Sequence, residues 1–354
     1  MSVIDADTHV DECESTWAKL EGTPYEKYIP VTVNLPPEVQ NHAGYPGLDT
    51  RMWLVEDRMQ NRAIRDDVNH PLRVYRELED VPGRLAHMDE MGVEIQVIYP
   101  TFFIRYSTDN AEAEWALTTT YNRWLAEKCA GTNGRLRWAA VLPFLNPEAA
   151  AEELRWAKEN GACCFFKRGF DLNKSSTDPH FFPVYEEASA LDLPLCIHTG
   201  HPLPGNEWDR GFPIMHSFTE VITSKLPDRF PKLRFGYIEA GASWIPYMVS
   251  QVGARVRQAE RGLERHLPEL YELAPDLFRD NRAFITVDLI DDVENILKFG
   301  TEDYLMIGTD YSHTDISANL GAFSGVQSWV DEGRISEGQA QKILESNARA
   351  FYGL

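Results

Sequence analysis

Eight short apolar runs, separated by stretches of helical periodicity, constrain the fold of this 354-residue chain more than any other feature. They fall at 3–7, 94–99, 138–144, 163–167, 193–198, 233–239, 283–289 and 304–310. Most are continuously apolar rather than alternating, as parallel strands covered on both faces should be. Helical patterns at 110–130, 147–160, 181–191, 243–259, 291–298 and 337–351 lie between and after them. Strand–helix alternation of this kind predicts an α/β chain folded as one (β/α)8 TIM-like barrel over residues 1–354. An open doubly wound sheet is the second choice, weakened because no Gly-rich phosphate loop follows the first run.

One segment breaks the rhythm. Residues 13–83 are too long for a plain loop, rich in Pro, Tyr and Trp, and carry a helical pattern at 54–64. They read as an insertion, a lid over one barrel mouth. The aromatics Trp17, Tyr25, Tyr28 and Trp53 either line a pocket or pack the insertion on the barrel, the second being favoured. A shorter insertion is expected at 257–280.

Lys and Arg number 34 against 55 Asp and Glu, a formal charge of −21, so neither nucleic acid nor an anionic membrane is expected as a partner. No run reaches the roughly 18 apolar residues of a membrane span, and the N-terminus has no basic leader. The five cysteines, Cys13, Cys129, Cys163, Cys164 and Cys196, form no CxxC pair. A reducing, cytoplasmic location is the expectation.

Polar residues interrupt the runs at their ends, where a barrel builds its site. The first run continues through Asp5-Ala6-Asp7-Thr8-His9, and period-two alternation would put Asp5, Asp7 and His9 on one face. The fourth ends in Lys167-Arg168, the fifth in His198, the sixth in Glu239 and the eighth in Asp310. Imidazoles and carboxylates converging at one mouth suit one or two divalent ions, Zn, Mn or Fe. Without a cation the carboxylates would repel one another. The plainer readings are a polar strand end for Asp7 and His9, a core histidine for His198, a turn cap for Asp310, and a salt bridge to Lys167 or Arg168 for Glu239. Asp5 reads as a hydrogen-bond partner that braces a ligand.

Asp5-x-Asp7-x-His9, the His198 strand, the block Phe230-Pro231-x-Leu233…Glu239-x-Gly241…Pro246-Tyr247, and Gly308-Thr309-Asp310-Tyr311 together resemble the amidohydrolase superfamily. They are most similar to its amidohydrolase-2 branch, which contains aminocarboxymuconate-semialdehyde and resorcylate-type decarboxylases. The resemblance implies metal ligands at Asp7, His9, His198 and Asp310, with Asp310 also transferring the proton. Glu239 stands where the family usually has a histidine, and is assigned as a further ligand or a general base. The implied function is metal-dependent hydrolysis or non-oxidative decarboxylation of a small carboxylated substrate.

Other residues fill supporting roles. His201 is a candidate catalytic group just past the fifth strand. Arg168, His313 and His216 are candidate substrate contacts, with Arg105 a second choice for holding a carboxylate. Lys167 matches, by residue type alone, a carboxylated bridging lysine of some superfamily members, but reads more simply as ion-paired. Cys196 reads as a barrel-interior residue. Ser243 does not sit in a G-x-S-x-G elbow.

Two alternatives remain open. The carboxylate-rich donor set favours Mn or Fe over Zn, so an oxygen-dependent dinuclear hydroxylase on the same scaffold is one. A non-catalytic subunit supporting a catalytic paralogue is the other. A homo-oligomer, or a hetero-oligomer with such a paralogue, is expected.

Overall fold

Hydrogen bonds join eight parallel strands in chain order, each to the next. The computed structural model describes residues 2–34, 51–62, 71–105, 107–200, 211–260, 277–314 and 317–354. The strands are β1 (Ile4–Val10), β2 (Ile95–Pro100), β3 (Leu136–Ala140), β4 (Ala162–Arg168), β5 (Leu195–His198), β6 (Phe235–Ile238), β7 (Ala283–Thr286) and β8 (Leu305–Met306). The ends of the sheet meet. Ala6 N donates to Ile307 O at 3.1 Å, His9 N to Tyr311 O at 2.8 Å and Asp310 N to Asp7 O at 2.9 Å. A parallel bridge pairs Thr8 with Tyr311. This is the (β/α)8 barrel that the eight apolar runs predict, and not the open sheet.

Helices on the outside return the chain. They include α1 (Val81–Met91), α2 (Ala111–Cys129), α3 (Pro147–Glu159), α4 (Phe182–Leu191), α5 (Gly211–Thr223), α6 (Ile245–Glu260), α7 (Val293–Leu297) and α8 (Ala322–Asp331). Four of them start at short polar side chains. Asp80, Asn110, Asn146 and Asp292 each accept a backbone N–H of the first turn, satisfying donors that a helix leaves orphaned. Among the described residues no helix is long and apolar enough to cross a membrane.

The C-terminal helix α9 (Asn347–Tyr352) packs on the barrel. Tyr352 Oη donates to Ala6 O at 2.7 Å and lies 2.7 Å from Tyr99 Oη, which donates to Cys196 Sγ at 3.0 Å. Cys196 is therefore a barrel-interior residue, as its parity with His198 predicts. Gly236 is required here, because a Cβ on it would lie 2.4 Å from the Phe351 ring. All five cysteines are free thiols.

The insertion departs from expectation. Where a helical pattern predicts a helix at 54–64, the described residues form strands Arg51–Val55 and Arg58–Asn61 in a three-stranded sheet, Arg51–Val55 lying in the middle and pairing antiparallel with both Val31–Asn34 and Arg58–Asn61. Glu56, at φ 51°, turns the chain between the two. Met, Leu, Arg and Gln favour helix intrinsically, but burying Trp53 and Val55 on one face of a sheet outweighs that weak preference. Trp53 and Trp17 pack on Phe102 with ring centroids at 6.2 and 5.0 Å. Tyr28 is also buried. The aromatics thus tie the insertion to the segment leaving β2. Most of the second expected insertion lies outside the described residues. Its flanks are the end of α6 and a short helix, Leu277–Asn281.

Candidate metal centre

Asp7 and His9 sit on β1, whose pairing with β2 is irregular. Asp5 pairs with Gln96 but Thr8 with Ile98, so β1 carries one extra residue. The extra residue breaks the simple alternation that would put Asp5 beside Asp7 and His9. Asp5 instead accepts Thr309 N at 2.8 Å, Thr309 Oγ1 at 2.6 Å and Gln96 Nε2 at 3.2 Å. It braces the seam beside Asp310, as the bracing role predicts. Burial pushes its carboxyl up to about 7.

Asp7, His9, His198 and Glu239 present donor atoms within 4.8 Å of one another, and so do His9, Glu239, Asp310 and His313. Asp7 Oδ1 lies 3.4 Å from His9 Nε2 and 3.5 Å from His198 Nε2. Glu239 Oε2 lies 3.3 Å from His198 Nε2 and 3.8 Å from His9 Nε2. Asp310 Oδ1 is 3.5 Å from His9 Nε2 and 2.7 Å from His313 Nδ1. The five expected ligands fall in these two overlapping groups, which share His9 and Glu239, and all five are buried.

The histidines are oriented from behind. His9 Nδ1 lies 3.0 Å from Pro100 O, and His198 Nδ1 2.8 Å from Thr199 O. A carbonyl only accepts, so each Nδ1 carries the proton and each Nε2 turns a lone pair to the cluster. Asp7 Oδ1, His9 Nε2 and His198 Nε2 are buried and make no hydrogen bond among the described residues. Orphaned buried donor atoms of this kind, all facing one point, fit a divalent cation.

Electrostatics agree. Burial, and then the charge of His313, push His9 down to about 3, so its imidazole is neutral at ordinary pH. Ionised carboxylate and neutral imidazole are the forms that bind metal.

Backbone geometry at the strand ends is unusual. Glu239 (φ 61°), Asp310 (φ 49°) and Ser312 (φ 88°) occupy the left-handed region that favours glycine. Thr286 Oγ1 accepts from Glu239 N at 2.8 Å, and Thr199 Oγ1 donates to Glu239 O at 2.5 Å. Glu239 aims into the cluster, towards His198 and His9, while Lys167 and Arg168 both pair with Asp171.

The remaining candidates separate. His313 joins the cluster, stacked on His9 at 3.8 Å, with Nε2 2.9 Å from Thr101 Oγ1. Arg168 is buried at the end of β4, donating to Asp171 Oδ1 at 2.6 Å and Phe103 O at 3.1 Å. Lys167 lies 3.3 Å from Asp171 and donates to Arg168 O, away from the ligand group. This is the ion pair of the simpler reading. His216 is exposed on α5, paired with Glu220 at 3.4 Å, and does not reach the cluster. His201 lies outside the described residues. Sequence reasoning missed Ser317, whose hydroxyl donates to Asp310 Oδ2 at 3.0 Å and reaches Glu239 Oε1 at 3.4 Å. It also missed Thr101. Neither carries a signal in the sequence, being a common residue in a loop.

A family model described as amidohydrolase matches residues 4–354. A gamma-resorcylate decarboxylase of Polaromonas sp. (strain JS666 / ATCC BAA-500) is 26% identical over 339 residues, covering 88% of this chain and 99% of its own. Among solved structures, an amidohydrolase of Mycobacterium avium subsp. paratuberculosis K-10 superposes with a TM-score of 0.76 at 19% identity, covering 99% of both chains. A dihydroxybenzoic acid decarboxylase of Polaromonas sp. JS666, solved with manganese and the inhibitor 2-nitroresorcinol, gives 0.64 at 21% identity over 100% of this chain and 97% of that one.

Proposed function

This chain belongs to the amidohydrolase family, and from that premise we propose that it removes carbon dioxide, without oxidation, from a small aromatic hydroxy-carboxylate. The observation that carries the reading is the cluster of orphaned donor atoms at the strand ends. Asp7, His9, His198, Glu239 and Asp310 would hold the divalent ion, and manganese is the ion we assign, since oxygen-rich donor sets suit it. A bound divalent ion would supply Lewis acidity towards a substrate oxygen.

The chain's own residues do the rest. Non-oxidative decarboxylation leaves the electron pair of the broken C–C bond on carbon, where a proton must arrive. Asp310 is assigned as the group that delivers it. Its Oδ1 faces His313 Nδ1 at 2.7 Å and its Oδ2 accepts from Ser317, so both oxygens are fixed before substrate enters. His313 in turn is oriented by Thr101. Arg168, held by Asp171, is proposed to set a positive charge on the β4 side of the mouth. The insertion, packed on Phe102, is proposed to wall the same mouth.

The test is direct. Manganese-loaded protein is mixed with 2,6-dihydroxybenzoate, and released carbon dioxide and resorcinol are measured. Turnover that Asp310→Asn abolishes supports the assignment. Turnover unaffected by that substitution removes it.

A second reading is favoured by one observation, the two overlapping donor groups that share His9 and Glu239. Two ions side by side would suit an oxygen-dependent hydroxylase. Full activity under nitrogen excludes it.

A further inference from the structure

Asp291, in the turn before α7, is four-fifths of the way along the chain and no part of the donor cluster, yet it joins two strand-end loops. Its Oδ2 accepts Ala242 N at 2.8 Å and Asp288 N at 2.8 Å. Its Oδ1 accepts Ser243 N at 2.9 Å and also the Ser243 hydroxyl. The residue is 4% exposed, and no Lys or Arg pairs with it among the described residues. Four hydrogen-bond donors, three of them backbone N–H, take the place of a counter-ion.

The geometry beside it explains why a full carboxylate stands there. Glu239 turns through φ 61° and Gly241 through φ 57°. A Cβ on Gly241 would lie 2.9 Å from Asp288 Oδ2 and 3.2 Å from Asp291 Oδ2. A backbone in this strained path needs its far end fixed. Thr286 and Thr199 fix Glu239 itself. Asp291 fixes the chain three and four residues later, at Ala242 and Ser243.

We propose that Asp291 is a positioning residue for Glu239, holding the β6–α6 turn so that the Glu239 carboxylate points into the donor cluster. The inference rests on Glu239 being a metal ligand. Outer partners that orient ligands typically change metal affinity by about 10–100-fold.

The experiment is a thermodynamic cycle on the full chain, with Mn2+ as probe, read from the electron paramagnetic resonance signal of free Mn2+. Wild type, Asp291→Asn, Glu239→Gln and the double variant are titrated. Asp291→Asn is expected to weaken Mn2+ binding about 10-fold in the wild-type background, and less than about 2-fold when Glu239→Gln is already present. Equal losses in both backgrounds, or a lower melting temperature with unchanged affinity, would overturn the proposal. If Glu239→Gln alone leaves affinity unchanged, the ligand assignment of Glu239 fails instead. Should Asp291→Asn not fold, Ser243→Ala removes one of the four contacts and is run through the same cycle. A smaller loss confined to the Glu239 background supports the role, and no loss rejects it.

Discussion

Asp5 and Thr309 stand 304 positions apart and share two hydrogen bonds, the carboxylate accepting both the backbone N–H and the hydroxyl of the threonine. The seam of the barrel is closed there, one residue before Asp310. Replacing Asp5 by Ala leaves buried donors on Thr309 and Gln96 unsatisfied, each costing about 1–3 kcal/mol. The urea midpoint of the metal-free chain should fall accordingly. An unchanged midpoint would mean the seam is held by other bonds.

Gly308 lies against the same seam. A Cβ there would sit 2.4 Å from Asp7 Cβ and 2.6 Å from Asp7 N, atoms of a strand that cannot yield. Gly308→Ala is predicted to cost about 3 kcal/mol or more and to weaken metal binding through Asp7. Gly92→Ala is the contrast. Gly92 has φ 71° with nothing within 4 Å of a built Cβ, so only backbone strain of about 1 kcal/mol applies. Denaturation of the two variants side by side checks the difference.

Ligand binding to the folded state alone raises stability by mass action, by about 2.7 kcal/mol at a free ion concentration 100 times Kd. Adding Mn2+ should therefore raise the melting temperature of the wild-type chain. In His198→Ala the rise should vanish over the same concentrations. A rise of equal size in both would place the ion elsewhere.

Stability should also depend on pH through Glu114, which burial pushes up to about 8 although it accepts Leu145 N at 2.7 Å. The unfolded carboxyl ionises near its ordinary value of 4.5. Between 4.5 and about 8 the unfolded chain releases the proton and the folded chain keeps it, so stability declines as pH rises, by up to about 1.4 kcal/mol per pH unit. Above about 8 this contribution is gone. Glu114→Gln should flatten that slope in denaturant titrations across the window, and an unaltered slope would assign it to other groups.

Much of this is legible in the sequence. Asp7, His9, His198, Glu239 and Asp310 declare themselves because a charged residue ending an apolar run has no packing reason to be there. The barrel follows from the same runs. Asp5 misled as to facing, since a single extra residue in β1 inverts parity and leaves no mark in composition. The 54–64 segment misled because tertiary burial of Trp53 decided its state, not local preference. Lys167 and Arg168 sit side by side at a strand end, yet Asp171, three or four residues on, takes both. Ser317, Thr101 and Asp291 act by hydrogen bonds across loops, which no periodicity encodes.

Elemental analysis of the chain after manganese loading and gel filtration tests the central claim most directly, with wild type compared with a His9→Ala/His198→Ala double variant. One or two equivalents of manganese per wild-type chain, and a folded variant retaining almost none, is the predicted result. A wild-type chain that emerges without transition metal, or a variant that keeps the full complement, would contradict the account.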